Sequence, residues 1–588
     1  MFVKFDKLEH KKTLLEIAIV TVVLLIALFV GFYDADNLTH PLHGDLLIEG
    51  NAVFNIHNHI PFEVDGKLQW IDERSYYFYV SPLNYYFKAL FWNNSRNYID
   101  NSTPPVVWGV LFTYLMTYFF ARRYFGQKVA TTALFLMALS SYWYNYVIRS
   151  LYCPWAFLPG ITILVYWLYL SFHKTGRFKL MLLAGFLAGL AFYFVTWPFV
   201  IFVIPSIFLL IFFFPFQKNA IAKRFLGFLI FIGVFAFIVA AKELIFNMTG
   251  LRYKGDASGV ETFCQIFFQG RWNDEKIAGA FSLINVIKKA GLNFISVLRM
   301  IFIPTDIYPG GNLVFVKPLD VVLPLMTPLV TASLVPGMIW MFIKKNKDCV
   351  FKILPFVVVV TVCMLSGMLA APAPRYLLTI FPFVYIIAAY VIVGIYEYVK
   401  NDLRRKQLFI AFVSCFILFN AKETFSDYMG KVLPIYFKFE YNCYNSIQWP
   451  FDDLKKFLND KREDYDIVVI PNNFTPQMIS FFRLWPWFVQ VDGKPPVKVL
   501  ASYDGVRKGL AYLRQARFKK MLIIANTYNR LLNDEICPGW SNLVPFDKTA
   551  ITEPETKILF PQAKFIKYVG CKQYPNMLAL FEVEGPIK

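Results

Sequence analysis

LLEIAIVTVVLLIALFVGFY, residues 14–33, decides the fold class. As a helix, a run of this length crosses a bilayer core of roughly 30 Å. Lys4, Lys7, Lys11 and Lys12 precede it. It is longer than a signal-peptide core and no small-residue cleavage site follows, so it reads as a retained signal anchor. The whole chain shares its character: 588 residues, 57% hydrophobic and 19% aromatic, with only 17% charged. A soluble protein of this length carries more charge and less apolar surface. The composition predicts a polytopic α-helical membrane protein.

Working outward, apolar runs predict about eleven transmembrane helices. They fall near residues 14–33, 105–121, 129–148, 152–172, 180–196, 198–216, 225–246, 319–343, 350–371, 376–396 and 408–420. The clusters ARRYFGQK, HKTGRFK, QKNAIAKR, KKNKD and KNDLRRK lie between them, and all fall on one side if the spans alternate. Basic residues collect on the cytoplasmic side. The N-terminus is therefore expected in the cytoplasm and the C-terminus outside, in a cell membrane or, for a eukaryotic chain, the ER membrane. This distribution also accounts for the net charge of +19 without nucleic acid, which is excluded as a partner.

Three long segments are expected outside: a first loop at 34–104, a second at 247–318, and everything after about 421. The tail alternates β-like runs (DIVVI, KMLIIAN, MLALFEVE) with amphipathic helical runs (DDLKKFLND, YDGVRKGLAYLRQARF). That pattern predicts a C-terminal extracytoplasmic α/β domain over 421–588, behind a membrane domain over 1–420. The sequence holds no glycine fingerprint for dinucleotides, no P-loop and no HExxH. Its eight cysteines show no CxxC spacing; Cys443, Cys537 and Cys571 fall in the tail, and their pairing is not readable. Sequons begin at Asn37, Asn93, Asn101, Asn247 and Asn473, all expected outside. Either glycosylation in a eukaryote or simple surface polarity accounts for them.

Two arginines break the charge rule. Arg149 and Arg375 sit in short outer turns, pressed between apolar spans. One reading is snorkelling to lipid headgroups. The other is a pair of guanidinium groups gripping a phosphate at the bilayer surface, where planar donors engage two oxygens at once. Lys317, just before an inbound span, is a third cation of this kind.

The first outer loop is unusual as well. THPLHGDLLIEGNAVFNIHNHIPF, residues 39–62, carries four of the six histidines: His40, His43, His57 and His59. Asp45 and Glu49 stand four apart and share a helix face, where like charges repel by a few tenths of a kcal/mol. A cation or a task in proton transfer offsets that; an interfacial helix with its polar face in water is the plainer account. His57 and His59 with Asp45 and Glu49 are suitable ligand types for a divalent metal. Tyr76, Tyr77, Tyr79, Tyr85 and Trp92 crowd the same loop, either as a sugar platform or as an interfacial aromatic belt.

In order along the chain, these features resemble a known family. The acid after the first span comes first, then SPLNYYFKALF (81–91), then PPVVWGVLFTYLMTYFFARRYFGQ running on to RSLY (104–152). AGFLAGLAFYFVTWP (184–198) and APRYLLTIFP (373–382) follow. The set resembles the GT-C glycosyltransferases over roughly residues 10–420, especially protein O-mannosyltransferases and the lipid A aminoarabinose transferase. The resemblance implies transfer of a sugar from a polyprenyl-phosphate donor to an extracytoplasmic acceptor (glycolipid, glycan or protein), with inversion at the anomeric carbon. It implies that Asp45 is the catalytic base, although Leu46 follows where many relatives have Glu. Glu49 offers a second carboxylate one turn on, and Asp34 and Asp36 are competitors. Arg149, Arg375 and Lys317 would bind the donor phosphate. Some relatives use a divalent cation, which His57 and His59 would hold here. Two other classes stay open: a transporter or lipid-linked-sugar flippase, and an inactive GT-C-like scaffold. Membrane lipids are partners in each case.

Overall fold

The computed structural model describes residues 7–32, 98–140, 153–195, 197–213, 220–249, 328–343 and 378–422 of the helical part. It also describes parts of the segment between α1 and α3 (53, 56–57, 62–64, 67–69 and 82–93), the single residues 295, 358, 359 and 361, and parts of the tail between 457 and 585.

The helices are α1 (Lys7–Phe32), α2 (Pro82–Ala89), α3 (Tyr98–Phe125), α4 (Gln127–Ala138), α5 (Cys153–Thr175), α6 (Lys179–Val195), α7 (Trp197–Phe213), α8 (Ala220–Thr249), α9 (Pro328–Ile343), α10 (Phe381–Val399) and α11 (Leu403–Lys422). Among the described residues, four stretches are long and apolar enough to cross a membrane: Asn101–Phe125, Cys153–Thr175, Ile221–Ala241 and Leu378–Val399. Shorter apolar stretches run over Leu14–Phe29 and Lys179–Phe194. The expected span at 350–371 lies almost wholly outside the described residues.

Helix pairing follows side-chain size. In lipid, apolar burial does not by itself drive helices together, so close backbone approach and internal hydrogen bonds do the work. A Cβ at Gly185 of α6 would stand 2.6 Å from the Phe231 carbonyl of α8, so only glycine permits this crossing. On the same pair, Tyr193 Oη lies 2.7 Å from the carbonyls of Ile238 and Val239.

The α3–α5 crossing is polar at one point. Thr113 Oγ1 donates to the Ala156 carbonyl at 2.6 Å and accepts from the Gly160 amide at 3.1 Å. An unbroken helix would pair these two backbone groups directly. Pro159 sits between them inside α5, and the threonine of the neighbouring helix fills the gap. Elsewhere hydroxyls bond back into their own helix, as Thr117 to the Thr113 carbonyl and Ser333 to the Leu329 carbonyl, each at 2.7 Å.

Ion pairs tie the helix ends. Glu16 of α1 is 5% exposed. Arg122 of α3 grips it with two nitrogens at 2.7 and 2.9 Å, and the Tyr118 hydroxyl donates to it. Lys128 at the start of α4 and Lys400 both bond Glu397 at the end of α10.

The tail contains a five-stranded mixed sheet in the order β4-β3-β5-β7-β6, counting β1 and β2 in the first loop. Its strands are β3 (Ile467–Ile470), β4 (Lys498–Ala501), β5 (Lys520–Asn526), β6 (Lys564–Val569) and β7 (Leu578–Glu584). Strand β3 pairs in parallel with β4 and β5, while β7 pairs antiparallel with β5 and β6. Ile467, Val469, Met521, Ile523, Ala579, Phe581 and Val583 alternate along their strands onto one buried face. A short helix, α12 (Glu553–Leu559), precedes β6.

Candidate functional site

Between α1 and α3 the described residues include a strand pair, His57 and helix α2. Strands β1 (Phe62–Val64) and β2 (Lys67–Gln69) pair antiparallel, with Val64 opposite Lys67. Pro82 opens α2, where its fixed φ is already helical and its missing N–H costs nothing. Asn84, Tyr85, Lys88 and Ala89 recur at helical spacing on the buried face, and Leu83, Tyr86 and Leu90 are exposed. Phe87 packs edge-on against Phe157 of α5 at 5.5 Å and Phe194 of α6 at 5.8 Å, which seats α2 on the bundle.

Lys88 is 1% exposed. A buried ammonium is costly unless something nearby compensates it, and sequence reasoning did not single this residue out. The signal was there: Lys88 falls on the same face as Asn84 and Tyr85, so a helical reading of PLNYYFKA turns it inward.

His57 is half-buried, with Nδ1 3.1 Å from the Ala89 carbonyl. A carbonyl only accepts, so Nδ1 is the donor in this bond. This bond fastens the histidine-rich stretch to the end of α2. Among the described residues no three His, Cys, Asp or Glu side chains come together. His59, Asp45, Glu49, Arg149, Lys317 and Arg375 lie outside the described residues.

Their flanks do bear on two of them. Residue 149 follows α4 and precedes α5; residue 375 precedes the turn at 378–380 that opens α10. The Tyr385 phenol near the start of α10 lies against Ser140, just past α4. Cys153, opening α5, approaches the Pro105 carbonyl of α3 at 3.6 Å.

Asn101 shows a second feature that the sequence concealed. It is 1% exposed. Its Nδ2 donates to the Asn93 carbonyl at 3.0 Å and its Oδ1 accepts from the Asn93 amide at 2.8 Å. The side chain closes the connection from α2 to α3 and is no glycan acceptor in this fold.

Residues 85–245 match the family model for dolichyl-phosphate-mannose-protein mannosyltransferase. No curated protein sequence matches the chain. Among solved structures, the chain is similar to ArnT from Cupriavidus metallidurans bound to undecaprenyl phosphate. The TM-score is 0.54 at 10% identity, over 98% of this chain and 99% of that one. The apo form of the same protein gives a TM-score of 0.50 at 9% identity, over 99% and 100%. The archaeal oligosaccharyltransferase AglB from Archaeoglobus fulgidus, in complex with an inhibitory peptide and a dolichol-phosphate, gives 0.44 at 13% identity, over 87% and 69%.

Proposed function

Because this chain has the GT-C membrane-glycosyltransferase fold and carries the mannosyltransferase signature over residues 85–245, we propose the following activity. It moves a sugar from a polyprenyl-phosphate donor to an acceptor hydroxyl on the outer side of the membrane, with inversion. The observation that carries this reading is the extent of the signature: it runs from α2, with its buried Lys88, through α8 and includes Arg149. The ArnT chain, similar along its whole length, was solved with undecaprenyl phosphate, which supports a lipid-linked donor.

The chemistry follows from the donor. A sugar on a lipid phosphate already has a good leaving group, so its departure needs cations rather than a general acid. Arg149 and Arg375 supply guanidinium forks for the phosphate, and Lys317 a third charge. The contact between Tyr385 and Ser140 supports the pairing of the two arginines, because the helix ends that lead to them are neighbours. Lys88, pre-buried on α2, adds a cation whose desolvation strengthens its hold on an anion. Asp45 takes the acceptor proton as general base, and Glu49 polarises or positions it. His57, whose Nε2 is not engaged by the Ala89 carbonyl, and His59 are where a divalent ion would bind. The membrane domain spans 1–420, with its N-terminus in the cytoplasm, and the α/β tail (421–588) lies outside with the acceptor.

The test is a transfer assay with the purified full chain and a panel of polyprenyl-phosphate sugars. Asp45→Asn is expected to lower turnover about a hundred- to ten-thousand-fold while donor binding persists. Lys88→Met is expected to weaken donor binding first. Unchanged turnover in Asp45→Asn removes that residue from its role. Flux of donor across vesicles without a new glycosidic bond would overturn the transferase reading in favour of a transporter.

A further inference from the structure

Helix α2 is too short to hold itself in place. Its eight residues fall well below the length at which an isolated helix persists in water. The Phe87 ring seats its middle against Phe157 and Phe194. The carbonyl end has separate fastenings. Beyond Ala89 the chain leaves the helix through single-turn bonds: the amides of Leu90, Phe91 and Trp92 donate to the carbonyls of Phe87, Lys88 and Ala89 at 3.3, 3.0 and 3.3 Å. Two ties from elsewhere in the chain hold this turn. Asn101 of α3 bonds both the amide and the carbonyl of Asn93. His57 donates from Nδ1 to the Ala89 carbonyl at 3.1 Å.

The imidazole reaches that carbonyl from 32 residues back in the chain. Val53, four residues before it, is wholly buried, so this contact comes from a stretch that is itself seated. Ala89 directly follows Lys88, the basic group in the last turn of α2, which is 1% exposed. The last carbonyls of a helix carry partial negative charge, and a ring N–H and an ammonium are both favoured there. The backbone beneath Lys88 sets where its ammonium can reach. A shift of the terminal turn therefore moves a buried cation relative to whatever it grips, and small misplacements of a binding group are costly.

We propose that His57 is a positioning residue for Lys88. Through the Ala89 carbonyl it fixes the terminal turn of α2, and with it the ammonium that holds the donor phosphate; this rests on the donor reading above. The role is distinct from holding a metal, because the bond to Ala89 uses Nδ1 and leaves Nε2 out. It implies a particular pattern of tolerance. An asparagine carries an amide N–H near the position of Nδ1, whereas a glutamine carries one near that of Nε2. His57→Asn should keep the tie, and His57→Gln should lose it although glutamine is closer to histidine in size.

The experiment is native mass spectrometry of the full-length protein in detergent, titrated with undecaprenyl phosphate, with uncharged undecaprenol as the control for the lipid tail. Lys88→Met should weaken undecaprenyl phosphate binding about ten- to a hundredfold, and His57→Ala or His57→Gln about three- to tenfold. His57→Asn should bind like the unaltered protein, and undecaprenol binding should not change. In the Lys88→Met background His57→Gln should weaken binding no further, because both act through one contact. His57→Gln keeps the test decisive should His57→Ala fail to fold. Additive losses, equal losses for undecaprenol, or a His57→Asn variant as weak as His57→Ala overturn the positioning role and leave the donor reading standing. Losses that occur only with added manganese would make His57 a metal ligand and overturn the positioning role as well. An unaltered protein that binds undecaprenyl phosphate no better than undecaprenol overturns the donor reading itself, and a Lys88→Met variant that binds it undiminished removes Lys88 from that reading; the positioning role falls in either case.

Discussion

Two glycines, one on α6 and one on α8, should respond to the same substitution with opposite sign. At Gly185 an added Cβ would meet the Phe231 carbonyl at 2.6 Å and the Val234 Cβ at 3.0 Å. The carbonyl is backbone and cannot rotate away, so α6 and α8 must separate by several tenths of an ångström along their shared face. Overpacking of this kind costs about 1–3 kcal/mol, reduced by the helix-propensity gain of alanine over glycine, about 0.5–1 kcal/mol. Gly185→Ala should therefore destabilise the protein by up to about 2.5 kcal/mol net. At Gly233, on α8, nothing lies within 4 Å of the added Cβ. There the propensity gain stands alone, and Gly233→Ala should stabilise by about 0.4–1 kcal/mol. The assay is equilibrium unfolding in mixed micelles of mild detergent and sodium dodecyl sulfate, followed by tryptophan fluorescence. If Gly185→Ala stabilises as much as Gly233→Ala, the close α6–α8 crossing is wrong.

Three shorter predictions accompany it. Thr113→Val should cost about 1–3 kcal/mol, because the Gly160 amide and Ala156 carbonyl lose their bridge, whereas Thr113→Ser should retain most of it in the same assay. Arg122→Gln leaves a buried Glu16 carboxylate without its cation and should cost about 3 kcal/mol, the low end for a broken buried pair since Arg122 is half in solvent; the double variant with Glu16→Gln should recover much of the loss. Asn101→Gln should lower stability, and expression in a glycosylating host should leave Asn101 unmodified by peptide mass mapping; a glycan there would contradict the staple to Asn93.

The helices were legible because a bilayer demands long apolar runs, and their ends were not because a helix continues past the bilayer. The expected span 105–121 is helical from Tyr98 to Phe125, with polar and charged residues carried into the helix at both ends. In the tail, the three β-like runs became β3, β5 and β7, the inner strands of the sheet. The two strands missed, β4 and β6, are its edges, where one side lacks a partner strand and a continuous apolar run is not required. Lys88 and Asn101 were hidden for another reason. Their meaning lies in burial and in a bond across eight residues, and residue type alone is silent on both. The candidate acids and arginines, by contrast, come from helical spacing, the charge rule and the family resemblance, they lie outside the described residues, and their roles rest on the proposed function.

The grip of Arg122 on Glu16 also sets a schedule for biogenesis. The partners are 106 residues apart in the chain. At a synthesis rate of roughly 5–20 residues per second, the first helix waits about 5–20 s in the translocation machinery before its counter-ion is made. During that interval Glu16 must stay hydrated or borrow a lipid cation, so the leading helix reaches its final depth only when the third helix arrives to fix it.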